Sequence, residues 1–182
     1  MPQPAIILGL GLALAALGGV PAPAQEANPQ DFRFGSIDGG EIGFADWAGR
    51  PVLVANTASL CAFAPQYAEL QALYDEFKDE GLVVLAVPSD DFNQEYGTEA
   101  EVKDYCELNY ALDLPMTVIS HVRGEEALPF FRWLAETEGF VPDWNFNKVL
   151  VGADGAVLGT WGSREAPSGA AIRGAVEAAL AS

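Results

Sequence analysis

Between residues 52 and 88 the spacing of apolar positions changes twice. Val52-Leu53-Val54-Ala55, ending at Asn56, is a continuous apolar run, too short for a helix and rich in Val, which predicts a buried strand. Tyr67, Leu70, Leu73, Tyr74 and Phe77 then recur at helical spacing, with Pro65 suited to the first turn and Gly81 to the stop. Leu82-Val83-Val84-Leu85-Ala86-Val87 is a second buried run, closed by Pro88. Strand, helix, strand predicts a parallel pair with a right-handed crossover.

The flanking segments follow the same logic. Arg33–Ile37 and Glu41–Phe44 surround Asp38-Gly39-Gly40 and predict a hairpin. Residues 88–97 are a polar loop, and Thr98-Glu99-Ala100-Glu101 is a capping box opening a helix through Val102, Tyr105 and Cys106. Met116–Ile119 reads as a strand and Leu128–Thr137 as a helix. Lys148–Val151 and Ala156–Trp161 form a second hairpin around Ala153-Asp154-Gly155, and Ser168 caps a last helix through Ile172, Val176 and Leu180. The result is one α/β domain over residues 32–182 with a mixed sheet, parallel at first and antiparallel at the end. Sites in open α/β sheets lie at the carboxyl ends of strands. The stretch after Asn56 and the loop 88–97 are therefore expected to be neighbours.

The amino-terminal stretch stands apart. Ala5 to Val20 is almost wholly apolar, and Ala22-Pro23-Ala24 offers small residues before a cut at Gln25. This predicts a signal peptide over 1–24, a flexible lead-in over 25–31, and export, in a bacterium to the periplasm. The run is shorter than the roughly 20 residues that span a bilayer, so no stable membrane association is expected after cleavage. Half of the 182 residues are hydrophobic, which supports a sizeable core. The net charge is −17, with nine Lys and Arg and no cluster of them, which argues against nucleic acid, anionic membranes and anionic small ligands as partners.

The candidate chemistry starts at Cys61, at the strand-to-helix junction, where unpaired N–H groups favour a thiolate. The other cysteine, Cys106, falls in the predicted helix. In an oxidising compartment two cysteines also read as a structural disulfide. Cys61 has no second Cys within three residues, and the one histidine, His121, falls in an exposed turn beside Arg123-Gly124. Two distant Cys and one His form no metal cluster, and no cofactor is implied. Redox chemistry remains: a thiolate attacks a peroxide O–O bond and becomes sulfenic acid. Neutral N–H donors suit its transition state, and the candidates are the Gln94 amide, the Trp144 indole and the Asn145 amide. Each also has an ordinary reading, as a solvated loop amide, a core indole and a turn residue.

Three segments carry a family resemblance. Asn56-Thr57-Ala58-Ser59-Leu60-Cys61 with Phe63 and Pro65-Gln66-Tyr67, Leu82 to Pro88 with Phe92 and Gln94-Glu95, and Trp144-Asn145-Phe146-Asn147-Lys148 resemble, in order and separation, the signatures of the glutathione peroxidase family. The resemblance runs from about residue 32 to the end. It implies a thioredoxin-like fold and a catalytic tetrad of Cys61, Gln94, Trp144 and Asn145. Asp104-Tyr105-Cys106-Glu107-Leu108-Asn109-Tyr110 resembles the segment holding the resolving cysteine of thioredoxin-dependent members. The implied enzyme reduces hydrogen peroxide or organic hydroperoxides and is re-reduced by a thioredoxin-like protein or glutathione. The acidic composition favours the protein dithiol, and the short connection between Trp133 and Trp144 resembles members that are monomers. Two alternatives stay open: a redox sensor relaying a disulfide to a partner protein, and a non-catalytic exported domain with a structural Cys61–Cys106 bridge.

Overall fold

The computed structural model describes Met1 and residues 29–182, so the expected signal peptide and the first part of the lead-in lie outside the described residues. The rest of the lead-in, Pro29–Asp31, forms a turn of 3-10 helix, with the Phe32 N–H donating to Pro29 O at 3.2 Å. The elements that follow are β1 (Arg33–Gly35), β2 (Glu41–Gly43), β3 (Val52–Thr57), α1 (Gln66–Phe77), β4 (Val83–Pro88), α2 (Glu99–Tyr110), α3 (Pro129–Thr137), β5 (Lys148–Val151), β6 (Val157–Trp161) and α4 (Ala170–Leu180).

β1 and β2 pair antiparallel across Gly39 and Gly40, whose φ values of 92° and 73° belong to the left-handed region that glycine enters without strain. The other strands form one sheet in the order β4-β3-β5-β6. β3 and β4 are parallel, from Val52 opposite Val83 to Thr57 opposite Pro88, while β5 runs antiparallel to both β3 and β6. Every residue of β3 and β4 is buried, as expected of strands covered on both faces.

Alternation along the strands divides the core in two. Leu53, Ala55, Val84 and Ala86 face Tyr67 and Leu70 of α1, Val102 and Cys106 of α2, and Ile172 and Val176 of α4. Val52, Val54, Val83 and Leu85 face Phe130 and Leu134 of α3 and the aromatic cluster of Phe32, Phe34 and Phe44. A one-residue register slip would exchange the two sets, so apolar contact on both faces fixes the strand alignment that places the site.

Two local expectations are corrected. Met116–Ile119 is not a strand but two isolated bridges, Ala86 to Met116 and Ser36 to Thr117. The segment divides its hydrogen bonds: Thr117 N–H donates to Ala86 O at 3.0 Å, whereas Val118 N–H donates to Gly35 O at 2.9 Å. Bonding β4 and the β1–β2 hairpin by turns, it has no continuous ladder with either. At the last helix Gly169, not Ser168, is the cap residue, and the Ser168 hydroxyl instead bonds the Glu69 carboxylate on α1.

Candidate active site

The chain leaves β3 at Thr57 and reaches α1 only at Gln66, so Cys61 precedes the helix proper rather than opening it. Between them lies a run of tight turns: Ala64 N–H donates to Cys61 O, Gln66 N–H to Phe63 O and Tyr67 N–H to Ala64 O, each at 2.9 Å. These bonds curl the backbone so that the Phe63 N–H points at Cys61 Sγ, 3.4 Å away. Such a donor stabilises negative charge on sulfur. Cys61 is 5% exposed, and Phe63 beside it lines a cleft of about 660 Å³ with Trp144, Trp161 and Arg164.

The loop after β4 packs on this turn, as the parallel pair requires. Leu60 N–H donates to Gln94 O at 2.9 Å, and Ser59 N–H to Glu95 Oε1 at 3.0 Å. Asn93 has a φ of 56°, a left-handed value that Asn tolerates better than most residues, and it turns the chain between Phe92 and Gln94. The Gln94 side chain then accepts a hydrogen bond from Asn145 Nδ2 at 3.1 Å. That bond uses the oxygen of the Gln94 amide and leaves its nitrogen as a donor.

Asn145 is fully buried, and its placement depends on two asparagines that the sequence analysis did not single out. Asn56 Nδ2 and Asn147 Nδ2 both donate to Trp144 O at 2.9 Å, and Asn147 N–H donates to Asn56 Oδ1 at 3.0 Å. Phe146 between them has a φ of 61°, a strained value for a bulky residue. It is held by its N–H bond to Asn56 O and by an edge-on contact with the Tyr67 ring, centroids 5.2 Å apart. A polar residue near the end of an otherwise apolar strand is the signal that could have marked Asn56. Trp144 is 40% exposed and packs at a tilt against Phe92, centroids 5.3 Å apart, so it is a cleft wall and not core. Lys148, fully buried, fastens β5 to this region by bonding Gln66 Oε1 and, at 2.5 Å, Glu165 O, and burial pulls its ammonium down to about 8.

Cys106 belongs to the same buried cluster as Cys61 but is carried by α2. It sits within α2, 1% exposed, beneath a separate cleft of about 280 Å³ lined by Ile37, Lys103, Leu112 and Met116. Burial pushes its thiol up to about 12, with the Tyr67 hydroxyl opposing the shift. Both cysteines are free thiols. The structure thus joins Gln94, Asn145 and the Cys61 turn through hydrogen bonds and sets Trp144 in the same cleft wall as Phe63, whereas Cys106 lines the separate, smaller cleft. His121 is exposed and bonds the Asp91 carboxylate at 2.6 Å, outside this constellation. Among the described residues no group of three His, Cys, Asp or Glu could hold a metal, and no helix is long and apolar enough to cross a membrane.

Comparison with known proteins identifies the chain's relatives. The glutathione peroxidase family model matches residues 30–135, which include Cys61, Gln94 and Cys106. A glutathione peroxidase of Lactococcus lactis is 36% identical over 145 residues, 77% of this chain and 92% of that protein. The hydroperoxy fatty acid reductase gpx1 of Synechocystis is 37% identical over 147 residues, 75% of this chain and 87% of that protein. Among solved structures, Trgpx in apo form superposes with a TM-score of 0.67 at 29% identity, covering 85% of this chain and 97% of that one. A thioredoxin-family thiol:disulfide interchange protein of Chlorobium tepidum superposes at 0.63 with 17% identity, covering 87% and 99%, which shows the thioredoxin-like fold alone. With this fold, a cysteine on the turn after β3 and relatives alike over most of their length, the chain belongs to the glutathione peroxidase family and is a peroxidase.

Proposed function

We propose that the chain is an exported thiol peroxidase that reduces hydrogen peroxide or organic hydroperoxides through Cys61. The observation that carries this reading is the linked set of Cys61 turn, Gln94 and Asn145, with the Phe63 N–H on the sulfur. The Cys61 thiolate attacks one peroxide oxygen; the S–O bond forms, the O–O bond breaks, and the leaving alkoxide or hydroxide takes up a proton as alcohol or water. Sulfur loses two electrons and becomes sulfenic acid. The Gln94 amide nitrogen, the Trp144 indole N–H and the Asn145 amide act as neutral donors to the charge spread over sulfur and both oxygens.

Cys106 then resolves the sulfenic acid: its thiol forms the S–S bond, and the sulfenic hydroxyl leaves as water with the thiol proton. A thioredoxin-like dithiol reopens the bridge by two thiol–disulfide exchanges. Charge supports a protein dithiol over glutathione. All nine Lys and Arg fall among the described residues, and of these Arg164 alone has no ion pair, hydrogen bond or ring contact. It shares its cleft with Asp143 and Glu165, so an anionic tripeptide meets one free cation beside two acids. The enzyme works as a monomer in this reading.

The test is stopped-flow oxidation of the reduced protein by hydrogen peroxide, followed by turnover with thioredoxin or glutathione as donor. Rapid oxidation with faster cycling on thioredoxin is expected; no oxidation of Cys61 overturns the reading. Replacing Gln94 by Ala should slow the oxidation step by about 10²–10³-fold, the usual cost of one lost transition-state donor. An unchanged rate constant would remove Gln94 from the site.

A further inference from the structure

The loop that supplies Gln94 also carries a buried acid with no part in the proposed tetrad. Glu95 is 8% exposed. Its Oε1 accepts the Ser59 N–H at 3.0 Å and the Tyr96 N–H at 2.9 Å, whereas its Oε2 is buried without a hydrogen-bond partner. The groups within its electrostatic reach are Asp90 and Tyr96 of its own loop, Ser59 of the Cys61 turn, Tyr67 of α1 and Cys106 of α2, and none is a cation. Burial raises its carboxyl above the ordinary range, and the hydrogen bonds from Ser59 and Tyr96 offset this only in part. A half-satisfied buried carboxylate is a poor choice for stability.

We propose that Glu95 is a positioning residue for the peroxidatic step, holding the Cys61 turn against the Gln94 loop; this rests on the reading of Cys61 as the peroxide-attacking thiol. Two consecutive residues of the turn, Ser59 and Leu60, donate to two consecutive residues of the loop, Glu95 and Gln94. Cys61 follows directly on the first pair, and the Gln94 side chain, bonded to Asn145, extends from the second. This short ladder fixes sulfur and amide donor relative to each other. Of its two bonds only one is made by a side chain, so Glu95 is where a substitution can loosen it.

Glu95→Ala removes the arm, and Glu95→Asp keeps the charge but shortens the arm by one methylene. Both should slow Cys61 oxidation, the alanine variant by about 10²-fold, the cost of misplacing reacting groups by about 1 Å. Glu95→Gln keeps the acceptor oxygen and should recover the rate to within about threefold of wild type, the difference between a charged and a neutral acceptor. It should also raise the melting temperature at neutral pH. A carboxyl raised in the folded state contributes most to stability when protonated, and this contribution is lost as pH rises through the raised value. The advantage of Glu95→Gln should therefore vanish as pH falls below the ordinary carboxylate range. Stopped-flow oxidation measured well below each melting temperature, with thermal unfolding across pH, reads both effects. If wild type oxidises rapidly and Glu95→Asp matches it, the positioning role is overturned while the peroxidase reading stands. A slow Glu95→Gln with a wild-type-like Glu95→Asp also overturns it, by assigning the effect to charge. Failure of wild type itself to oxidise overturns both.

Discussion

Cys61→Ser is expected to abolish peroxide consumption, with turnover falling to the uncatalysed level, a loss of about 10³-fold or more. A serine hydroxyl keeps the size and the bond from the Phe63 N–H, but its oxygen is not ionised at neutral pH and does not accept an oxygen atom from peroxide. The fold should survive, because the substitution adds no volume at a site that is 5% exposed. The unfolding free energy should stay within about 1 kcal/mol of wild type, the usual range for a mild substitution. Direct measurement of hydrogen peroxide loss, with circular dichroism as the fold control, separates lost chemistry from lost structure. Retained peroxide turnover in a folded Cys61→Ser protein would sink the mechanism.

Cys106→Ser should have the second largest effect, and on a different step. The first oxidation should proceed at near the wild-type rate, because Cys106 lines a cleft separate from the one walled by Phe63 and Trp144 and is not one of the proposed donors. Cycling on thioredoxin should then stall, and excess peroxide should drive Cys61 to the irreversible sulfinic acid. Intact mass after one equivalent of peroxide distinguishes the cases: loss of two hydrogens in wild type, gain of one oxygen in the variant. Normal thioredoxin-driven turnover by Cys106→Ser would exclude Cys106 as the resolving thiol.

The burial of Cys106 adds a conformational expectation to that step. A thiol buried within a 12-residue helix and pushed up to about 12 is scarcely ionised while the helix is packed. Resolution through Cys106 is therefore expected to involve opening of α2. Oxidation of wild type should therefore reduce the helical circular dichroism signal, and oxidation of Cys106→Ser should not. This separates a cycling bridge from a permanent one, because a bridge that only stabilises, typically by about 2–5 kcal/mol, has no reason to unwind the helix that carries it.

Much of this chain was legible before its structure. The Val-rich runs at 52 and 82, the helical spacing from Tyr67 to Phe77 and the capping box at Thr98 gave β3, β4, α1 and α2 nearly at their observed bounds. The Thr98 hydroxyl does accept the Glu101 N–H, at 3.3 Å. The expected strand at Met116–Ile119 and the expected cap at Ser168 failed for a shared reason. In each the local sequence suits the prediction, but distant groups, Gly35 and Ala86 in one case and Glu69 in the other, take the hydrogen bonds.

The sequence by itself determined the order of the helices and paired strands and the strand–turn–helix that presents Cys61, because periodicity, capping and turn chemistry act over a few residues. Only the tertiary structure decided that Asn145 reaches Gln94, that Asn56 and Asn147 hold Trp144 by its carbonyl, that Glu95 is buried against Ser59, and that Cys106 lies beneath a cleft separate from the one Phe63 and Trp144 line. Most of these contacts join segments far apart in the chain. Their partners are chosen by strand register and by how completely each polar atom is removed from water, and neither is written in the residues on either side.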